Sequence, residues 1–306
     1  MPATQRFLNY LEFEKRFSAH TVLSYRKDLE QFTSFLKNQF EFETPELATS
    51  PMIRTWLVHL KEARAEARTI NRKLSTLRSF YKFCMRNALV KKNPLYNINA
   101  VKTPKRLPIF VEGEKMDKLL EGDFQLVGEE SRGYIEGFEG LRDKVIFELF
   151  YYTGMRVSEL VGLTRSSFDE GAQTLKVLGK RNKERIIPMA PEMVEMFKQY
   201  LNELEKEQYA AGSPAIFFTP KGTPATRQYI YKVVNKYMGT VTTLKKKSPH
   251  VLRHTFATHM LNNGAPINDI KEILGHASLA ATQVYTHNTI EKLKEVYRKA
   301  GLRKEE

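Results

Sequence analysis

Six side chains in this sequence have the types that phosphate chemistry needs. They are Arg156 in "TGMRVSEL", Lys180 in "LGKRNKER", His250 and Arg253 in "SPHVLRH", His276 in "LGH" and Tyr285 in "QVYTH". Each alone is ordinary. An arginine after a glycine turn is usually a surface residue, a histidine more often completes a core, and most of the 14 tyrosines must pack. Together, in this order, they suit phosphoryl transfer without a metal. Attack on a phosphodiester gathers negative charge on a five-coordinate phosphorus, which fixed cationic donors stabilise. Two arginines grip the non-bridging oxygens bidentately, which lysine cannot do. Two imidazoles can donate hydrogen bonds or take the proton of the nucleophile. A tyrosine hydroxyl titrates near about 10, so it attacks at neutral pH only with such help. A lysine on a hairpin can protonate the departing 5′-oxygen.

Other chemistries find no residues. There is no glycine-rich phosphate loop, no paired-carboxylate motif and no HExxH. His250 and His254 share a helical face, but Arg253 lies between them and no carboxylate neighbours the pair, so no metal and no other cofactor is expected. The single cysteine, Cys84, excludes a disulfide framework and cysteine-rich zinc modules. The N-terminal "MPATQRFLNYLEFEKRF" lacks the apolar run of a signal peptide, and no stretch reaches membrane-spanning length, so no membrane contact and a cytoplasmic location are expected.

The charge points to an anionic partner. The formal net charge is +14, the footprint of nucleic-acid binding. From Ala67 to Val111 there are eleven Lys or Arg and no Asp or Glu, whereas solvated faces normally mix both signs. Within that run, "TINRKLSTLRSFYKFC" places Ile70, Leu74, Leu77, Tyr81 and Cys84 on one helical face. Arg72, Lys73, Thr76, Ser79 and Lys82 fall on the other. Such a helix can lie along a duplex, and Arg72, Lys73, Arg78 and Lys82 are the candidate DNA contacts.

At 306 residues, 42% of them hydrophobic, the chain is long enough for two packed domains. Residues 1–100 read as helices; in "TVLSYRKDLEQFTSFL", Val22, Tyr25, Leu29, Phe32 and Leu36 make an apolar face. "NPLYNINAVKTPKRLPIF", 93–110, holds three prolines and reads as a basic linker, most clearly over 101–110. Residues 111–306 are helical except for "TLKVLGKRNKERIIPM", whose alternation of Leu175/Val177 and Arg185/Ile187 predicts a β-hairpin turning near 181–183. Pro249 would open a helix capped by Ser248 that carries His250 and Arg253 on one face. The expectation is a mainly α protein of two domains: a helical N-terminal domain and an α-rich second domain with a small antiparallel sheet.

The ordered set Arg, Lys, His-x-x-Arg, His, Tyr resembles the tyrosine recombinases, the integrase family, over essentially the whole chain. "YYTGMRVSELVGL", "GKRNKERIIP", "HVLRHTFATHML" and "LGHASLAATQVYTH" match its catalytic motifs, and the N-terminal helices resemble its SAM-like core-binding domain. The length and two-domain layout are closest to the Xer subgroup. The resemblance implies that Arg156 and Arg253 clamp the scissile phosphate, with His250 in proton handling, His276 as a donor, Lys180 as general acid and Tyr285 as nucleophile. It also implies a double-stranded DNA substrate and a tetramer with a sister Xer-type recombinase or with copies of itself. The terminal helix 289–301 would dock on a neighbour in that tetramer, under control of a septal DNA translocase during chromosome-dimer resolution. One departure is Arg181, where the subgroup usually has glycine. Glycine adopts a positive φ at low cost and arginine does not, so Lys183 is a second candidate acid. A phage or transposon integrase, a type IB topoisomerase and a non-catalytic DNA-binding protein are the alternative readings.

Overall fold

The computed structural model describes residues 1–103, 109–126, 132–179, 183–207 and 212–275. The chain divides into two units, Met1–Arg106 and Leu107–Glu306.

The first unit is built of α1 (Ala3–Asn9), which runs into a π-helical turn at Tyr10–Glu14, then α2 (Ala19–Phe40), α3 (Ser50–Glu62) and α4 (Ala67–Arg86). Ser18 is extended and its Oγ accepts from the Thr21 N–H at 3.3 Å, which starts α2. The helices close on a core that includes Phe7, Leu29, Phe32, Trp56, Leu74 and Phe80. On α4 the predicted apolar side is all buried: Ile70, Leu74, Leu77, Tyr81 and Cys84.

The opposite side of α4 differs from its predicted face. Lys73 and Thr76 are not on the basic front; they are buried against α2, where both bond the carboxylate of Asp28, Lys73 at 2.9 Å and Thr76 at 2.9 Å. Several helices pack around α4, so more than one stripe of it is enclosed. The exposed cations are Arg68, Arg72, Arg78, Lys82 and Arg86. The start of the expected linker is also laid against this unit. Asn71 exchanges two 2.8 Å hydrogen bonds with the backbone of Val101, Arg78 donates to Ile98 O at 2.8 Å, and Leu95 and Ile98 are buried.

The second unit contains α5 (Gly113–Glu121), α6 (Phe138–Thr153), α7 (Val157–Val161), α8 (Pro191–Lys206), α9 (Arg227–Val241), α10 (Pro249–Asn262) and α11 (Ile267–Ile273). Its strands, β1 (Phe168–Asp169), β2 (Thr174–Leu178) and β3 (Glu184–Pro188), form one antiparallel sheet in the order β1-β2-β3. The hairpin pairs Leu175 with Ile187 and Val177 with Arg185, and these four side chains share its buried side. Helix α6 is buried nearly all round through Val145, Ile146, Phe147, Leu149 and Phe150, and α8 and α10 pack on it. It ends at Gly154, whose φ is +56°. A Cβ there would lie 2.5 Å from Phe256 Cδ1 and 2.7 Å from Leu274 Cδ2. Only glycine gives α10 and α11 room to close on this turn. Among the described residues no helix is long and apolar enough to cross a membrane.

Candidate active site

Arg156 follows the Gly154 turn as the extended residue that caps α7. Its backbone N–H donates to Glu159 Oε2 at 2.8 Å and its Nη1 donates to Glu159 Oε1 at 2.7 Å. An acid in the first turn of α7 is favoured by the helix dipole. A second arginine reaches the same carboxylate from β3: Arg185 Nη1 donates to Oε1 at 2.9 Å and Nη2 to Oε2 at 2.8 Å. Burial alone would raise the Glu159 carboxyl. The hydrogen bonds and charge of Arg185, joined by Arg156, outweigh burial and lower it to about 2.

Arg253 comes from α10, which Pro249 opens. Ser248 stands at the cap position, but its side chain makes no capping hydrogen bond. The Arg253 guanidinium is buried; Nη1 donates to Gly154 O and Nη2 to Leu274 O, each at 2.6 Å. Burial, followed by the charges of Arg156 and Arg185, lowers Arg253 to about 10, so it stays a cation at neutral pH. An arginine has five N–H donors, and two here are committed to carbonyls. Among the described residues the other three make no hydrogen bond, which leaves them for an anion.

Three consecutive carbonyls at the end of α11 are each taken by a different arginine. Ile273 O accepts from Arg185 Nε at 3.0 Å, Leu274 O from Arg253 Nη2 at 2.6 Å, and Gly275 O from Arg156 Nη2 at 3.4 Å. The last carbonyls of a helix have no partner within it, and its C-terminus favours cations. The carbonyls therefore hold the guanidinium groups in place without cancelling their charge. His250, exposed but part-covered at the start of α10, lies near enough to Arg253 and Arg156 to feel their charges. Burial of its ring and the charges of Arg253, His254, Lys246 and Arg156 lower its pKa. The free site thus presents two arginines and a neutral imidazole, an arrangement fitted to a phosphate diester.

Of the six predicted catalytic residues, the structure brings Arg156, His250 and Arg253 together. Lys180, His276 and Tyr285 lie outside the described residues, as does helix 289–301. Lys183 is exposed, and its carbonyl accepts from Gly179 N at 2.8 Å where the hairpin opens. Of the predicted DNA contacts, Arg72 and Lys73 hold Asp28, Arg78 is tied to Ile98 O, and Lys82 is exposed. Glu159 and Arg185 escape sequence reasoning. Their signals are an acid three residues after Arg156, the spacing of a capping box, and a charged residue at an inward strand position. Among the described residues no group of three or more His, Cys, Asp or Glu could hold a metal ion.

Known proteins place this site in context. Residues 132–292 match the phage integrase family, and residues 4–88 match the phage integrase N-terminal SAM-like domain. The tyrosine recombinase XerC of Listeria monocytogenes is 38% identical, covering 96% of this chain and 96% of the relative. The tyrosine recombinase XerD of Lacticaseibacillus casei is 35% identical, again covering 96% of each chain. Among solved structures, the XerH site-specific recombinase bound to palindromic difH substrate has a TM-score of 0.67 and 22% identity, over 96% of this chain and 93% of that one.

Proposed function

The chain belongs to the phage integrase family as a Xer-type tyrosine recombinase, and we propose that it cuts and rejoins duplex DNA through a 3′-phosphotyrosyl intermediate formed at Tyr285. Arg156 and Arg253 hold the non-bridging oxygens of the scissile phosphate. The Tyr285 oxygen attacks phosphorus and passes its proton to the His250 side of the site. The bond from phosphorus to the 5′-oxygen breaks, and Lys180 supplies that oxygen with a proton. His276 donates to a non-bridging oxygen. The phosphotyrosine bond keeps the energy of the broken diester, so a free 5′-hydroxyl of another strand reverses the step without ATP.

The observation that carries this reading is the triplet of arginine–carbonyl bonds at Ile273, Leu274 and Gly275. It fixes two spare-donor guanidinium groups beside His250 and directly before the segment that leads to Tyr285. Positive charge placed before substrate arrives needs no reorganisation during reaction. The XerH recombinase bound to its difH substrate, among the structural neighbours, supports a DNA substrate. Similarity to both XerC and XerD relatives along nearly their whole length supports chromosome-dimer resolution with a sister recombinase. We infer that control by a septal translocase and a cytoplasmic location accompany that role.

The test uses a nicked duplex carrying the sequence that the protein itself selects from a random duplex library. Wild type forms a detergent-stable protein–DNA adduct, and a chelator leaves the yield unchanged. Relaxation of supercoiled plasmid lacking that sequence would instead support a topoisomerase.

A further inference from the structure

We propose that Arg185 is a positioning residue for strand cleavage, holding the chain on both sides of the phosphate clamp in register without itself touching the phosphate. This rests on the reading of Arg156 and Arg253 as phosphate ligands. All three nitrogens of the Arg185 guanidinium are engaged, with Nη1 and Nη2 on the Glu159 carboxylate and Nε on Ile273 O. The side chain is only 6% exposed, and the Glu159 carboxylate already takes both of its terminal nitrogens. Burial of the strand does not require a charge at this position, since Leu175, Val177 and Ile187 already supply apolar cover. A buried arginine is costly unless it is paired and hydrogen-bonded, and here each of its three nitrogens has a partner within the candidate site.

Two glycines lie against this ion pair. A Cβ on Gly275 would fall 3.3 Å from Arg185 Cδ and 3.4 Å from its Nη1. A Cβ on Gly179 would fall 3.7 Å from Glu159 Oε1 and 3.8 Å from Arg185 Nη1. Gly179 directly precedes Lys180, and Gly275 directly precedes His276. One guanidinium therefore sits beside the backbone leading into the general acid and beside the backbone leading into the second imidazole. Through Glu159 it also sets the carboxylate on which Arg156 rests. Without it, Glu159 keeps Arg156 as its only arginine partner and draws that side chain inward, while Ile273 O loses its partner. Displacements of about an ångström at a reacting centre cost about 100-fold in rate.

The experiment compares the full-length wild type with Arg185→Met, Arg185→Lys and Arg253→Gln on the nicked duplex. It measures DNA affinity, melting temperature and the single-turnover rate of adduct formation at saturating protein. The expected result is a rate about 100-fold lower for Arg185→Met and about tenfold lower for Arg185→Lys, with affinity held within about threefold. A purely structural role lowers the melting temperature and the reactive fraction but not the rate of the folded fraction. If Arg185→Met does not fold, Arg185→Lys decides alone. Wild-type rates in the Arg185 variants beside a slow Arg253→Gln overturn the positioning role only. A wild-type rate in Arg253→Gln overturns the clamp on which it rests.

Discussion

Each unit holds a buried carboxylate between two cations, Asp28 in the first and Glu159 in the second, and the two clusters do opposite things with the charge. In the N-terminal unit, Asp28 accepts from Arg72, Lys73 and Thr76, and the remaining reach of Lys73 goes to Gln31. Burial would raise the Asp28 carboxyl, and the bonds from Arg72, Lys73 and Thr76 outweigh it and lower its pKa. Lys73 is enclosed with its acid and has no open side. In the C-terminal unit, Glu159 anchors Arg156 and Arg185, but Arg253 and the spare donors of Arg156 rest on neutral carbonyls. Donors satisfied by carboxylates become structure. Arg253, held by backbone carbonyls and by no carboxylate among the described residues, keeps an uncompensated charge, and so becomes a site for an anion.

The largest effect expected from this contrast is catalytic. Arg253→Gln removes a fixed donor and should slow adduct formation on the nicked duplex about 100- to 1,000-fold, while unfolding by denaturant changes much less. Asp28→Ala should do the reverse. It strands Lys73 in a buried place and should destabilise the chain by about 3–5 kcal/mol in urea unfolding. Its cleavage rate, measured on folded protein at saturation, should stay near wild type. The double substitution Asp28→Leu with Lys73→Met should recover most of that loss; failure to recover would mean that the cluster does more than bind the unit together.

The Glu159 cluster should also show in acid. Its pKa is lowered in the folded state to about 2, so its stabilisation is full above the unfolded carboxylate range and is lost as pH falls from about 4.5 toward about 2. The amount at stake is on the order of 3 kcal/mol, and Glu159→Gln should flatten that part of the stability–pH curve. The smallest effect is expected at Lys82, exposed on the α4 front. Lys82→Gln should leave stability within about 0.5 kcal/mol and lower the slope of log affinity against log salt by about 1.

Helices such as α2 and α4 were legible because they carry a repeating apolar stripe, and the hairpin because its alternation is regular. β1 spans only two residues, too few to show an alternation. The true face of α4 was hidden for a different reason. Periodicity gives the angle of Lys73 about the helix axis but not what lies opposite, and its partner Asp28 is 45 residues away. The same holds for Arg185 and Glu159, which are 26 residues apart. Arg156, His250 and Arg253 could be named from motif order, yet the hold of the Gly275 and Leu274 carbonyls on Arg156 and Arg253 comes only from the fold.

The central claim is that the clamp serves a tyrosine that becomes joined to DNA. The direct measurement is peptide mapping of the adduct formed on the nicked duplex, with Tyr285→Phe run in parallel. The account predicts a nucleotide linked through phosphate to Tyr285 in the wild type and no adduct in the variant. An adduct that persists in Tyr285→Phe, or DNA mapped to another residue, would contradict it.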